Sequence, residues 1–196
     1  MARGDRSPRN EHADKVRKRL IEAAMNLFST NGYDATTTDQ IAENAGVSPR
    51  TFFRYFPTKE SVLFFGEYDF INAVSGVYLA QPEELSDYEA MANSFALVAP
   101  GLKRIRSRIA QYHEAVQSSL TLVGRERRNH EANAETIARV IAQRRGLPTA
   151  DSECRLLAAV GLLLVERALN QWLAGPNQGL DDWIRQEFAA LRAVVQ

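Results

Sequence analysis

The segment TTTDQIAENAGVSPRTFFRYFPTKES, residues 36–61, contains the start signals of two short helices. In the first signal, Thr37 is followed three residues later by Gln40. This spacing fits a capping box, in which the two side chains accept hydrogen bonds from backbone N–H groups that the first turn of a helix leaves unpaired. A short helix is therefore predicted near residues 38–44.

The second start signal is Ser48 followed by Pro49. Serine caps the first turn, and proline suits the first helical position because its missing N–H is not needed there. Gly46 lies between the two signals and can adopt the positive φ that a sharp turn between helices requires. A second helix is therefore predicted near residues 49–55, and the pair forms a helix-turn-helix.

The second predicted helix carries side chains that suit contact with DNA. Phe52 and Phe56 are expected to face inward, which leaves arginine, threonine and further aromatic residues on the outer face. In a major groove, Arg50 can donate two bonds to one guanine, while hydroxyl and aromatic groups meet base edges, thymine methyl groups or phosphates. Lys59 is expected to open the next helix, where a phosphate can bind. The predicted DNA-binding residues are Thr37, Thr38, Arg50, Thr51, Phe53, Arg54, Tyr55 and Lys59.

Helical periodicity also dominates outside this segment, and no alternating strand pattern flanked by hairpin turns is found. An apolar stripe precedes the segment on a helix that is expected to end at Asn31-Gly32; it consists of Val16, Leu20, Ala24, Leu27 and Phe28. A long apolar segment runs from Lys59 to about Leu79. Further helices are predicted near 84–98, 102–115, 118–145, 152–173 and 180–195, with breakers such as Pro100-Gly101 between them. An all-α fold of about nine helices is expected.

Charge is balanced overall, with 24 Lys and Arg against 24 Asp and Glu, but basic residues crowd the N-terminus. The cluster consists of Arg3, Arg6, Arg9, Lys15, Arg17, Lys18 and Arg19. Such a cluster suits contact with DNA phosphates. For the first ten residues, a solvated tail explains the composition equally well.

The sequence lacks the signatures of several other classes of protein. The phosphate-binding glycine loops, the nucleophile elbow and metal-spaced cysteines are missing, so neither catalysis nor a metal or cofactor is expected. The single cysteine, Cys154, lies beside an apolar run and is expected to be a buried small hydrophobe. The N-terminus lacks the apolar stretch of a secretory signal, and no apolar run approaches a membrane span. A cytoplasmic location and no membrane contact are therefore expected.

Residues 13–65, and above all TTTDQIAENAGVSPRTFFRYFPTKESVL, resemble the DNA-binding domain of the TetR family of transcriptional regulators. The resemblance rests on the threonine-rich entry, the IAENAGVS turn, the TFFRYF helix and the aromatic-proline-Lys-Glu exit. Phe53 departs from the family pattern, which usually has tyrosine, so a phosphate bond from that hydroxyl is lost. The resemblance implies a helix-turn-helix domain with a basic arm at 1–58 and a helical ligand-binding and dimerisation domain at 59–196.

The same resemblance implies a homodimeric repressor that binds double-stranded, palindromic operator DNA and releases it when a small molecule binds. The sequence supports a dimer through the last two helices, because residues 156–165 are apolar nearly all the way round. The last helix adds apolar residues at spacings of four, three and four: Ile184, Phe188, Leu191 and Val195. Two such helices from each chain can form a four-helix bundle across a two-fold axis. The alternative is that they bury these faces within one chain.

Aromatic and polar residues on the central helices are the candidates for an effector pocket. They are Phe64, Tyr68, Phe95, Tyr112, His113 and Trp172. As a set they indicate a hydrophobic or amphipathic effector, although each taken alone is more commonly a core or surface residue. The run RERRNHE at 125–131 can pair with an anionic group, but a solvated helix face explains it better. A regulator or activator without small-molecule control is the alternative function, and control by a protein partner is a third.

Overall fold

The computed structural model describes residues 8–63, 66–175 and 178–195, and for residues 8–11 and Tyr68 it describes only the backbone. Within these ranges the chain forms nine α-helices and two 3₁₀ helices. The α-helices are α1 (Pro8–Asn31), α2 (Thr38–Asn44), α3 (Pro49–Tyr55), α4 (Glu67–Leu79), α5 (Asp87–Val98), α6 (Arg106–Gln117), α7 (Leu120–Arg144), α8 (Ser152–Ala174) and α9 (Leu180–Val195). The all-α fold predicted from the periodicity is confirmed.

The chain divides into two compact units. The first contains Met1–Phe65 together with Arg108–Gly124, and the second contains Gly66–Ser107 together with Arg125–Gln196. Helices α6 and α7 therefore each continue from one unit into the other. The domain division at residues 58 and 59 stays a prediction, and these units do not coincide with it.

The first unit is built around the apolar stripe of α1. Leu20 and Ala24 are fully buried, and α1 packs against α2, which packs against α3. The chain leaves α1 at Gly32, which adopts the left-handed conformation with φ of 80° and donates its N–H to the Phe28 carbonyl at 3.0 Å. The predicted stop of the first helix is therefore confirmed, and its physical cause is the left-handed backbone that glycine tolerates.

The apolar segment from Lys59 to Leu79, which Lys59 was expected to open as a helix, contains a short 3₁₀ helix and a separate α-helix. A 3₁₀ helix occupies Glu60–Val62, and α4 begins only at Glu67. Gly66 precedes α4 with φ of 100°, a left-handed conformation that a continuous right-handed helix cannot contain. Apolar residues lie on both sides of Gly66, so hydrophobic periodicity alone does not predict the break.

The predicted break at Pro100-Gly101 is also different in the structure. Helical geometry continues from α5 through a second 3₁₀ helix, Ala99–Ile105, directly into α6. Pro100 lies in the first turn of this 3₁₀ helix, the part of a helix that tolerates proline best. Helix α5 therefore ends at Val98, where the sequence predicts an end, but a 3₁₀ helix rather than an irregular break leads into α6.

In the second unit, α8 packs along α9 and against α5. Cys154 is fully buried on α8, as the sequence predicts, and its thiol is free.

Helix α8 is long and apolar enough to cross a membrane by length and composition alone, with a mean hydropathy of 1.3 over its most apolar 18 residues. This is weak evidence for a membrane span, because the core helix of a helical bundle has the same composition.

Candidate nucleic-acid interface

The start of α2 contains the predicted capping box. The Gln40 backbone N–H donates to the Thr37 hydroxyl at 3.2 Å, and the Thr37 backbone N–H donates to the Gln40 side-chain oxygen at 2.9 Å. Thr37 itself has the extended backbone of an N-cap residue. These two reciprocal bonds fix the first turn of α2, so the predicted capping box is confirmed.

The turn between α2 and α3 depends on Gly46, which has φ of 66°. With the backbone in this conformation, the Val47 N–H reaches the Ala42 carbonyl at 2.9 Å and closes the end of α2. The Ser48 hydroxyl then accepts the Thr51 N–H at 3.2 Å, and Pro49 is the first residue of α3. The direction of α3 is therefore set by local residues, as the sequence predicts.

Helix α3 has a buried face and an exposed face. Phe52 is fully buried, Phe56 is 2% exposed, and their rings pack 5.9 Å apart. On the opposite face, Arg50 and Arg54 are exposed, and Phe53 has 51% of its surface in contact with solvent. A face with an exposed aromatic ring and two arginines is the kind of surface that a recognition helix presents to a major groove.

Tyr55, at the end of α3, contacts two cationic side chains. The Arg17 guanidinium of α1 lies 5.6 Å from the Tyr55 ring centre, and the Arg54 guanidinium lies 5.1 Å from it. Arg17 also forms an ion pair with Asp14 at 3.1 Å. Cation–π contacts of this kind orient the tyrosine and place positive charge beside α3.

The remaining basic residues of the N-terminal cluster differ in how much of them the structure describes. Arg3 and Arg6 lie outside the described residues, and only the backbone is described for Arg9. An open groove of about 480 Å³ along α1 is lined by His12, Lys15, Val16, Lys18, Arg19 and Glu22. Arg19 approaches the helix-turn-helix, since a β-carbon on Gly46 would lie 3.9 Å from its guanidinium nitrogen. Phosphate contact by this arm stays a prediction.

Thr51 and Lys59, both predicted to contact DNA, have partners inside the first unit. The Thr51 hydroxyl lies 3.0 Å from the Ser48 hydroxyl. The Lys59 ammonium donates to the Tyr33 carbonyl at 2.7 Å and to the Thr36 carbonyl at 2.8 Å. Thr38 is half-buried at the first position of α2. DNA contact by these residues is a prediction that the protein's internal contacts do not test.

The predicted effector-pocket residues are divided between the two units. Tyr112 packs against the core of the first unit, and His113 is half-buried on the same helix. In the second unit, Phe95 is fully buried and stacks on Phe70 at 6.2 Å, while Trp172 lies under the Arg106 guanidinium at 5.3 Å. Phe64 and the side chain of Tyr68 lie outside the described residues. The pocket stays a prediction, and Phe95 and Trp172 have the contacts of core residues.

A polar cluster in the second unit was missed by the sequence analysis. Asn133 on α7 donates a side-chain hydrogen bond to Glu67 at the start of α4, and Asn129 forms a further bond to the same carboxyl group. Burial raises the pKa of Glu67; the two asparagine bonds oppose this shift, and the charge of Glu126 adds to it. The missed signal is the spacing of four that places Asn129 and Asn133 in line with the buried Ile137.

The run RERRNHE is not a uniformly solvated face. Arg127, Arg128 and Glu131 are exposed, and Arg127 forms an ion pair with Glu131 at 3.2 Å. The other members of the run are half-buried: Arg125, Glu126, Asn129 and His130. One half of the run therefore faces solvent, and the other half lies on the same side of α7 as the Glu67 contact.

Comparison with known proteins identifies the class of this DNA-binding architecture. The model for bacterial regulatory proteins of the tetR family matches residues 20–64, and the model for the MftR C-terminal domain matches residues 116–196. The HTH-type transcriptional regulator TcmR of Streptomyces glaucescens is 33% identical over 181 residues, which cover 85% of this chain and 77% of TcmR. The chain belongs to the TetR family.

Two further proteins that are similar to this chain have names that describe different roles. The nucleoid occlusion factor SlmA of Sodalis glossinidius is 29% identical over 155 residues, covering 68% of this chain and 76% of SlmA. The crystal structure of Thermus thermophilus FadR, a TetR-family repressor in complex with lauroyl-CoA, has 25% identity and a TM-score of 0.57, covering 89% of this chain and 92% of FadR. The chain is thus a DNA-binding transcriptional regulator and not an enzyme, as the sequence predicts.

Proposed function

We propose that this TetR-family regulator is a homodimeric repressor that binds a palindromic operator and is released by a hydrophobic or amphipathic small molecule. The observation that carries the proposal is an apolar surface on α8 and α9 that a single chain leaves exposed. Leu156 is 66% exposed and Leu163 is 52% exposed on α8, and Val194 is 81% exposed on α9. Exposed apolar patches on soluble proteins commonly mark surfaces that bind another protein.

A groove on the same surface strengthens the case for a second copy of the chain. It has a volume of about 300 Å³ and is lined by Tyr88, Glu153, Leu156, Leu157, Val160, Leu191, Arg192 and Val195. In a dimer with a two-fold axis, both copies bring the same surface to the interface, so the leucines and valines of this groove can pack against apolar residues of the second copy. The pair of helices from each chain then forms a four-helix bundle.

A two-fold dimer predicts the symmetry of the DNA site. Two recognition helices read successive major-groove faces about 34 Å apart or a multiple of this spacing, so the operator must be an inverted repeat. The exposed residues of α3 supply base contacts, and α1 and the start of α2 supply phosphate contacts. The residues that we propose for these contacts are Thr37, Thr38, Arg50, Thr51, Phe53, Arg54 and Tyr55.

The class of effector is supported by FadR, which was crystallised with lauroyl-CoA, an amphipathic molecule. Aromatic residues on the central helices of this chain suit the acyl part of such a compound. Binding shifts the population of the dimer only if the effector binds the DNA-free state more tightly than the DNA-bound state. Release from the operator therefore requires that effector binding and operator binding oppose each other.

The proposal is tested by gel shift with the promoter fragment upstream of the protein's own gene, across a salt series. Specific binding, lost in an Arg50→Ala, Tyr55→Ala double variant, is the expected result, with a salt slope that reflects several phosphate contacts. Added lauroyl-CoA is then expected to release the DNA. Binding no tighter than to random DNA would contradict an operator in this fragment, and binding that lauroyl-CoA leaves unchanged would contradict this effector class.

The dimer has its own test by sedimentation equilibrium. Leu163→Glu introduces a charge on the proposed interface and is expected to dissociate the dimer without unfolding the chain, because Leu163 is half exposed in one copy. Leu97→Glu on α5 is the matched control, since Leu97 is 61% exposed on a different helix. Dimers that persist in Leu163→Glu would place the interface elsewhere.

The second candidate is a DNA-binding regulator, repressor or activator, without small-molecule control. It is favoured by Phe95, which is fully buried and lies between Phe70 and Phe188 at 6.2 and 6.5 Å. A core filled in this way leaves less room for a ligand among these rings. Thermal unfolding that shifts with no member of a panel of acyl-CoA and aromatic compounds would support this alternative.

A further inference from the structure

Lys59 follows α3 in the chain, yet its ammonium group contacts the turn that precedes α2. It donates to the carbonyls of Tyr33 and Thr36, at 2.7 and 2.8 Å. The same ammonium lies 4.0 Å from the centre of the Tyr33 ring. Both ends of a four-residue turn are therefore bonded to one cation from a distant part of the sequence.

The turn that Lys59 contacts is buried and needs these donors. Tyr33 is 4% exposed and Thr36 is 1% exposed, and the Thr36 N–H already donates to the Tyr33 carbonyl at 3.2 Å. The Thr36 hydroxyl donates to the Gly32 carbonyl at 2.8 Å. Without the ammonium, the Thr36 carbonyl and one lone pair of the Tyr33 carbonyl would lose their partner in a place that water reaches poorly, which is costly.

The surroundings of the ammonium match a structural role. Burial lowers the pKa of Lys59, and the nearby charges of Asp34 and Glu60 oppose this shift. The Tyr33 hydroxyl donates to the Glu60 carboxylate at 3.2 Å, so the ring under the ammonium is itself held by the residue after Lys59. Desolvation of a cation is offset here by two carbonyls, one aromatic face and two carboxylates.

We propose that Lys59 is a positioning residue for DNA recognition: by bonding the Tyr33 and Thr36 carbonyls, it sets where α2 begins and thereby where α3 presents its reading face. Thr36 immediately precedes Thr37, the N-cap of α2. The α2–α3 turn then transmits that position to Arg50. This inference rests on the proposed operator binding, although its structural part can be measured without DNA.

The first test compares hydrogen exchange of peptides covering residues 33–40 in the DNA-free dimer. Lys59→Met keeps most of the aliphatic length but removes the ammonium, so exchange in these peptides is expected to rise at least about tenfold, as expected for loss of charged hydrogen bonds. Lys103→Met is the matched control, because Lys103 is an exposed lysine of the second unit. It should leave exchange at 33–40 unchanged, as should Arg50→Ala.

The second test measures operator binding across a salt series. Lys59→Met is expected to bind at least about tenfold more weakly. Lys59→Arg keeps the charge but replaces a compact ammonium with a planar fork, so it is expected to restore neither tight binding nor slow exchange. Lys59→Arg also serves if Lys59→Met does not fold.

One pattern would overturn the proposal. Unchanged exchange at 33–40 in Lys59→Met, full binding by Lys59→Arg and a salt slope lowered by about 0.9 in Lys59→Met would make Lys59 a simple phosphate ligand. If the wild-type protein binds no operator, the proposed function fails, and the exchange comparison still decides whether Lys59 holds the turn.

Discussion

Two glycines, one in each compact unit, show how differently the two halves of the molecule are specified. Gly46 is required for its backbone conformation, because the turn between α2 and α3 has φ of 66° at this position. Gly161 has no such φ; it lies within α8, where an added β-carbon would overlap the sulfur of Met91 on α5. The DNA-reading unit therefore depends on local backbone rules, whereas the helical bundle depends on which side chains meet.

Gly161→Ala gives the sharpest test of the packing side of this comparison. Met91 is 1% exposed, so its side chain cannot move into solvent, and we expect overpacking to lower the free energy of unfolding by up to about 3 kcal/mol. Gly76→Ala is the matched control, since nothing lies within 4 Å of a β-carbon at Gly76 in α4. There alanine should stabilise the helix by about 0.5–1 kcal/mol. Urea denaturation measures both, and equal effects would show that α8 and α5 can separate at no cost.

Gly46→Val tests the backbone side of the comparison. A β-branched residue resists a left-handed φ, so we expect a loss of about 2 kcal/mol in the free energy of unfolding, together with weaker operator binding. Gly46→Asn is the control, because asparagine adopts this conformation more readily and should cost less. If valine and asparagine have the same effect, the conformation of Gly46 is not what the turn requires.

The same division explains what could be predicted from the sequence. The caps at Thr37 and Ser48 and the turn at Gly46 were predictable because each depends on hydrogen bonds or dihedral angles within about four residues. The interruption before Glu67 was not, because the apolar pattern continues across Gly66. The partners of Phe95 and Lys59 were not predictable either, since they come from residues distant in sequence: Phe188 for the first, and Tyr33 and Thr36 for the second.

Arg50→Ala tests whether the exposed face of α3 contains a residue that reads a base. Arg50 is exposed on α3, and if it reads a guanine its loss should cost about 1–3 kcal/mol of operator binding and relax preference at one base pair. Binding selections on operators randomised at each position give the measurement. A loss that is uniform across sequences would reassign Arg50 to a phosphate contact.

The smallest expected effect concerns Glu67, which lies at the start of α4 and accepts a hydrogen bond from Asn133 of the distant helix α7. Burial raises the pKa of its carboxyl group above the ordinary value of 4.5. The pKa of Glu67 is therefore higher in the folded state than in the unfolded state, and between these two pKa values the folded state binds more protons. The stabilisation from this group is complete below the unfolded-state pKa, and it is lost as pH rises through the folded-state pKa.

Glu67→Gln removes this titration while keeping a side-chain oxygen that can accept the Asn133 bond. We therefore expect the variant to gain stability relative to the wild type as pH rises from about 4.5, the ordinary pKa, to neutrality. Asp69→Asn, an exposed carboxylate in the same turn of α4, is the control and should show a smaller difference. A Glu67→Gln variant that loses stability relative to the wild type over this range would mean that the asparagine bonds outweigh burial and that the carboxylate is favoured in the folded protein.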